Sequence, residues 1–180
     1  PPEWLGLKIK GPFGGSVEGE FTAAVEKRLA AGGITAPIQQ KVNRFDGRGE
    51  HLDGLKRKLD IRALVQGLKA MNLKVIVDPM HGSAAGCITE LLGADAQGLV
   101  EEIRSERDPL FGGNPPEPLE RYLDALIISV KEAASTGRPA VGLVFDGDGD
   151  RIAAVDESGR FCSTQLLMPL LIDHLAGARG

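Results

Sequence analysis

Cysteine is scarce: the 180 residues contain two, Cys87 and Cys162. They lie far apart and neither has a C-x-x-C neighbour, so a reduced, cytoplasmic compartment is expected rather than a disulfide framework. A surplus of cations is missing as well. Twenty-one Lys and Arg face 25 Asp and Glu, a net charge of −4. That excludes a strongly basic nucleic-acid binder, whose phosphate contacts need excess positive charge. The longest apolar runs, such as Leu166 to Ile172, fall far short of the ~20 residues that span a bilayer, so no membrane segment is expected. His51, His81 and His174 lack zinc-ligand spacing. The chain opens Pro1-Pro2-Glu3, with no Met, no basic stretch and no apolar leader, and reads as a fragment. There is no internal repeat, and the 24 Gly and 11 Pro are scattered without a collagen-like period. What remains is a soluble globular chain holding one domain, or one domain and a piece of another.

The pattern along the chain divides near its first third. Between Glu20 and Ala31, Phe21, Ala24, Val25 and Leu29 share one helical face, and Gly32-Gly33 stops the helix. Residues 34–59 look irregular, with turn signals at Asp46-Gly47 and Asp53-Gly54 and a solvated basic run at Lys56-Arg57-Lys58. Regularity then sets in. Asp60 can cap a helix whose apolar positions are Ile61, Leu64, Val65, Leu68 and Met71. Lys74-Val75-Ile76-Val77 reads as a buried strand, followed by a turn at Met80-His81-Gly82 and a short helix from about Ser83 to Leu92. A second strand is expected within Leu99 to Ile103, then a loop over residues 104–118. Leu119, Tyr122, Leu123, Leu126, Ile127 and Val130 mark the next helix, which Gly137-Arg138-Pro139 ends.

Ala140-Val141-Gly142-Leu143-Val144-Phe145 is a continuous apolar strand, as in a sheet covered on both faces. Ile152 to Val155 and Arg160 to Cys162 pair as a hairpin, and Ser163 or Thr164 caps a last helix that Pro169 delays or kinks. Helices alternating with strands argue an α/β layered domain.

The chemistry concentrates in Asp146-Gly147-Asp148-Gly149-Asp150-Arg151. This run follows a buried strand, so it sits at the carboxyl end of that strand, where open α/β sheets place their sites. Three carboxylates this close repel one another, and keeping all three ionised needs a counter-charge. A hard divalent cation supplies it, and oxygen ligands with no thiol or imidazole nearby favour Mg²⁺ or Ca²⁺ over zinc. The interleaved glycines let alternate side chains aim at one point. An acidic surface turn is the plainer reading, but it has no need of so apolar a strand. An EF-hand would use Asp146, Asp148, Asp150 and Glu157, yet its sharp turn wants Gly where Arg151 stands. A haloacid-dehalogenase-like phosphatase would use Asp146 as nucleophile and Asp148 as acid/base, with later motifs well downstream.

The segment Val144 to Arg151, with Lys74 to Gly82 upstream, resembles the α-D-phosphohexomutases, the phosphoglucomutases and phosphomannomutases. Asp108-Pro109-Leu110-Phe111-Gly112-Gly113, followed by Pro116-Glu117-Pro118, is similar to another of their segments. The opening Pro1 to Lys8 resembles the stretch just after their active-site serine, which lies in a Thr-Ala-Ser-His-Asn-Pro-Pro motif. The likeness keeps the order of all four segments and covers nearly the whole chain, most weakly at residues 34–59.

That resemblance implies a three-layer mixed sheet with helices on both faces, preceded by an incomplete piece of another domain. Residues 1–55 would close the first domain and residues 56–180 would form the second, metal-binding one. It implies phosphoryl transfer between C1 and C6 of a hexose phosphate, glucose or mannose phosphate, through a phosphoserine and a bisphosphate. Mg²⁺ would be held by Asp146, Asp148 and Asp150. Arg151 would add a planar cation beside the transferring phosphate or brace the loop, and Lys8 matches the family's general acid/base lysine. His81 is expected to be a hydrogen-bonded structural histidine, and Trp4 and Tyr122 packing residues. The serine would lie three positions before Pro1, and the sugar-recognition loop and the C-terminal phosphate-binding domain beyond residue 180, so the fragment alone is expected to be inactive. A phosphatase and a catalytically silent metal- or sugar-phosphate-binding module remain the alternatives.

Overall fold

The computed structural model describes residues 7–32 and 43–179. Trp4 lies outside them. The described chain forms two compact units that divide between Asp46 and Gly47. In the N-terminal unit Lys10 and Ser16 form an isolated antiparallel bridge around a tight turn in which the Gly11 amide donates to the Gly15 carbonyl at 3.0 Å. Helix α1 follows at Gly19–Ala30, where the apolar spacing predicts it, but none of its residues is buried.

The second unit opens with an element that the sequence pattern hid. Helix α2 spans Gly47–Lys58, inside the stretch expected to be irregular. Its three glycines lower helix propensity, and Leu52, only 1% exposed, is its one buried residue. Packing against α4 therefore makes this helix. The basic residues Lys56, Arg57 and Lys58 occupy its last turn, exposed and favourably placed against the helix dipole.

The remaining elements are α3 (Ile61–Ala70), β1 (Lys74–Asp78), α4 (Cys87–Leu92), β2 (Val100–Glu102), α5 (Asp124–Ser135), β3 (Ala140–Phe145), β4 (Ile152–Val155), β5 (Phe161–Cys162) and α6 (Thr164–Arg179). Asp60 caps α3 as expected, its Oδ1 accepting from the Ala63 amide at 2.9 Å. Two boundaries differ from the expected ones. Gly86, left-handed at φ +75°, keeps α4 from reaching back to Ser83. The turn Glu120–Tyr122 is a short 3₁₀ segment and α5 starts only at Asp124. Helix α6 starts at Thr164, directly after Ser163 as one of the two expected starts has it, with Pro169 inside it; the Ser163 carbonyl accepts from the Leu166 and Leu167 amides, and the Thr164 hydroxyl donates to the Ile152 carbonyl.

The strands form one mixed sheet in the order β2-β1-β3-β4-β5. β1 runs parallel to β2 and β3, whereas β3, β4 and β5 are antiparallel neighbours. Alternation along the strands assigns two faces. Ile76, Val144, Ala153 and Val155 join Leu123, Leu126 and Val130 in one buried core, with α5 as its cover. A Cβ on Gly142 would lie 2.9 Å from both Leu126 and Val130, so α5 sits as close as a glycine permits. On the other face Val65 of α3 packs with Ala96 and Leu99, and α3 and α4 border an apolar groove floored by Val75, Val100 and Leu143. This is the expected three-layer mixed α/β sheet. Its consequence for the site is directional: β1, β2 and β3, being parallel, bring their carboxyl ends to one edge.

Candidate functional site

At that edge β3 hands over to Asp146, which is 1% exposed. The loop closes on this residue. The Asp146 carboxylate accepts from the Arg151 amide at 3.1 Å through Oδ1 and from Arg151 Nε at 2.7 Å through Oδ2. Its carbonyl accepts from the Gly149 amide at 3.1 Å, and Gly149 has φ +79°, a conformation that glycine adopts without strain. The result brings one carboxylate oxygen from each of Asp146, Asp148 and Asp150 within 4.8 Å of one another. Asp148 and Asp150 are exposed.

The donor set is all oxygen, which suits a hard divalent ion. Asp146 keeps capacity for one, because a carboxylate offers about four lone-pair sites and Arg151 engages two. The Arg151 guanidinium is held above its ordinary pKa, chiefly by the hydrogen bond to Asp146, with further support from the charges of Asp146, Glu117 and Asp150. It stays cationic at any working pH. The flanks are strands, not helices, so the EF-hand reading does not survive.

Outside segments fix where the loop points. The Gly147 amide donates to the Pro116 carbonyl and its own carbonyl accepts from the Ser83 amide, each at 3.0 Å. No Cβ fits between these partners: one on Gly147 would lie 2.7 Å from Pro116 Cγ, and one on Gly82 would lie 2.6 Å from the Gly147 oxygen. The Lys74–Gly82 and Asp108–Pro118 segments of the sequence thus meet the Asp-rich loop at one residue, Gly147.

Behind them lies a buried pair that the sequence pattern does not announce. Asp78, fully buried at the end of β1, accepts from Arg104 Nε at 3.0 Å and from a second guanidinium nitrogen of Arg104. Its Oδ1 also accepts from the Met80 amide at 3.0 Å. The Arg104 carbonyl in turn accepts from the His81 amide at 2.8 Å. Met80, His81, Arg104 and Phe111 are all left-handed, with φ between 50° and 61°. Such conformations cost roughly 1 kcal/mol or more each and concentrate where surroundings over-determine them. The one signal in the sequence was Asp78 itself, a carboxylate ending an apolar strand.

His81 is tied into this scaffold. Its side chain is 8% exposed, and Nδ1 lies 3.0 Å from the Glu106 carbonyl oxygen, so it is hydrogen-bonded as expected. Tyr122 packs against the α5 core. The structure brings Asp146, Asp148, Asp150 and Arg151 together within the sheet unit. Lys8 is an exposed residue of the N-terminal unit.

Asp108 shapes the third segment. Its carboxylate accepts from the Leu110 amide at 2.8 Å and the Gly112 amide at 2.9 Å. These two bonds, first that of Leu110 and then that of Gly112, hold its pKa below the ordinary Asp value, with a smaller contribution from His81. A depressed carboxyl contributes order that is present above its unfolded pKa and lost as pH falls through the folded one. The Leu110 and Gly112 amide shifts are therefore expected to hold through the range where a free Asp protonates and to change only in stronger acid. NMR titration reads this directly, and an ordinary Asp midpoint for those shifts would contradict it. Asp108→Asn should abolish the transition.

Comparison with known proteins follows the same outline. The sequence model "Phosphoglucomutase/phosphomannomutase, alpha/beta/alpha domain II" matches residues 49–159. A phosphoglucosamine mutase of Nostoc punctiforme is 30% identical over 184 residues, covering 97% of this chain and 34% of that protein. One of Methanococcus vannielii is 31% identical over 161 residues, covering 89% of this chain and 35% of that protein. Among solved structures, a Thermus thermophilus protein described as a phosphomannomutase superposes with a TM-score of 0.71 at 27% identity, over 91% of this chain and 36% of that one. A Burkholderia thailandensis phosphoglucomutase/phosphomannomutase family protein shares the fold with a TM-score of 0.62 at 21% identity, over 93% of this chain and 34% of that one. The chain spans about a third of the length of these curated relatives. Among the described residues no helix is long and apolar enough to cross a membrane.

Proposed function

The chain belongs to the phosphoglucomutase/phosphomannomutase family, and from that premise we propose that it is the metal-binding part of a Mg²⁺-dependent phosphohexomutase. Asp146, Asp148 and Asp150 would hold the ion. The observation that carries the reading is the convergence of their three carboxylate oxygens within 4.8 Å at the edge where the parallel strands β1, β2 and β3 bring their carboxyl ends. When bound, Mg²⁺ supplies positive charge against the oxygens of a phosphoryl group, which is most of what phosphoryl transfer asks of a protein.

The side chains of this chain do the rest. Asp146 takes Nε of Arg151, leaving the other guanidinium N–H groups to donate to a phosphate at the loop. Lys8 would exchange a proton with the sugar hydroxyl that gives or takes the phosphoryl group. The phosphoserine that donates it, and the elements that recognise the sugar, we place outside these 180 residues. In this reading the N-terminal unit is the tail of the serine-bearing domain and the sheet unit is the metal domain. The substrate is a hexose phosphate, and the compartment is cytoplasmic.

The test is a parallel assay of the whole protein with the 1-phosphates of glucose, mannose and glucosamine, each with Mg²⁺ and a bisphosphate primer. Conversion of at least one to its 6-phosphate is expected, abolished by a chelator, with the 180 residues alone showing none. Turnover by the 180 residues alone would refute the division of labour. Steady phosphate release without a bisphosphate requirement would indicate a phosphatase, and a protein inert towards all three sugars would indicate a silent binding module.

A further inference from the structure

We propose that Arg48, on the unexpected helix α2, is a positioning residue for the Asp-rich loop, acting through the turn of residues 82–86; its effect on metal affinity rests on the metal reading above. Arg48 reaches across from the first turn of α2 to α4. Its Nε donates to Glu90 Oε2 at 3.0 Å and its NH1 to the Ala85 carbonyl at 2.9 Å. Its NH2 lies 2.7 Å from where a Cβ of Gly86 would be, so that edge of the guanidinium fills the space a side chain would take on this left-handed residue, φ +75°. Glu102 grips the same turn from its amide side, accepting from the Gly86 amide at 2.6 Å and from the Thr89 hydroxyl at 3.0 Å. Cation and carboxylate therefore hold the turn between them.

What the turn touches gives the grip its consequence. The Ser83 amide donates to the Gly147 carbonyl at 3.0 Å, and a Cβ on Gly149 would lie 3.3 Å from the Ser83 hydroxyl and 3.7 Å from Ala84 Cβ. Both glycines of the Asp-rich loop rest on residues 82–84, and the three aspartates alternate with those glycines. A shift of the turn thus re-aims the ligands. The side chains of Arg48 and Glu90 are 43% and 52% exposed, and ion pairs so open to water add little to folding stability. Metal sites, by contrast, typically lose roughly 10–100-fold in affinity when the groups that orient their ligands are removed. The signature of a positioning role is therefore loss of affinity without loss of stability.

Magnesium titration by calorimetry into the wild-type protein, Arg48→Met and Arg48→Lys tests it, alongside urea unfolding and the amide spectrum of the metal-free forms. Arg48→Met is expected to weaken Mg²⁺ binding about tenfold, to leave the urea midpoint nearly unchanged, and to shift the Gly147 and Gly149 amide resonances without metal. Arg48→Lys, which keeps the charge but cannot span Glu90 and Ala85 together, should fall between. Wild-type affinity and unmoved glycine resonances in Arg48→Met would overturn the proposal, as would a stability loss as large as the affinity loss. Absence of Mg²⁺ binding in the wild type, with the resonance shifts present, would bring down the metal reading and support the relay.

Discussion

Asp148→Asn is expected to weaken Mg²⁺ binding by about a hundredfold or more, roughly 2.8 kcal/mol at 1.4 kcal/mol per tenfold, and to cut mutase turnover at least in proportion. Asparagine keeps the shape and one acceptor oxygen, so the loss measures charge. The loop carries three carboxylates against the single cation Arg151, and each negative charge facing a divalent ion matters more than any neutral acceptor that replaces it. Asp148 is the informative position because it is exposed. Asp146 is buried and braces Arg151 through two hydrogen bonds, so changing it would confound folding with binding. Asp156, whose carboxylate serves Ser158 and Arg160 in the β4–β5 turn, is the control: Asp156→Asn should leave Mg²⁺ affinity alone. Calorimetry and the coupled assay check both, and unchanged affinity in Asp148→Asn would remove the metal from the account.

Arg104→Met is expected to destabilise the sheet unit by about 3–5 kcal/mol, the usual cost of leaving a buried charge without its partner. Asp78 is 0% exposed and Arg104 20% exposed at the side chain, so the asymmetry decides which variant is worse. Removing the arginine strands a carboxylate that cannot reach water and retains only the Met80 amide as donor. Removing the carboxylate, as in Asp78→Asn, leaves a partly exposed guanidinium that can turn outward. The double variant should be less destabilised than the sum of the two, because buried ion pairs are costly to break and much less costly to replace whole. Urea unfolding of all three decides it. A loss below about 1 kcal/mol in Arg104→Met would mean that the pair behaves as an exposed one. The left-handed turn at Met80 and His81 should also loosen, since the Arg104 carbonyl receives the His81 amide.

Both experiments bear on the same edge of the sheet, yet the two groups differ in how they could be read. The Asp-Gly-Asp-Gly-Asp-Arg run is local: six consecutive residues after an apolar strand bring three carboxylates together whatever the rest of the chain does. The same holds for β1 and β3, whose unbroken apolar runs need burial on both faces, and for the Asp60 cap of α3, a contact across three residues. The Asp78–Arg104 pair is separated by 26 residues, and Arg48 and Glu90 by 42. Neither has a spacing that periodicity could reveal. Helix α2 escaped notice for the related reason that one buried residue, Leu52, makes no pattern. α6 shows the converse, since Leu166, Leu170, Leu171 and Ile172 are apolar but 50–66% exposed.

By itself, then, the amino-acid order determined the layered α/β class, the strand that ends at Phe145, and the identity of the acidic cluster after it, because each depends on residues within a few positions of one another. Only the tertiary structure decided where those carboxylates aim. Their direction is set by the Pro116 carbonyl, the Ser83 amide and the close contact at Gly82, partners that parallel strand pairing brings to one edge and that no local rule connects.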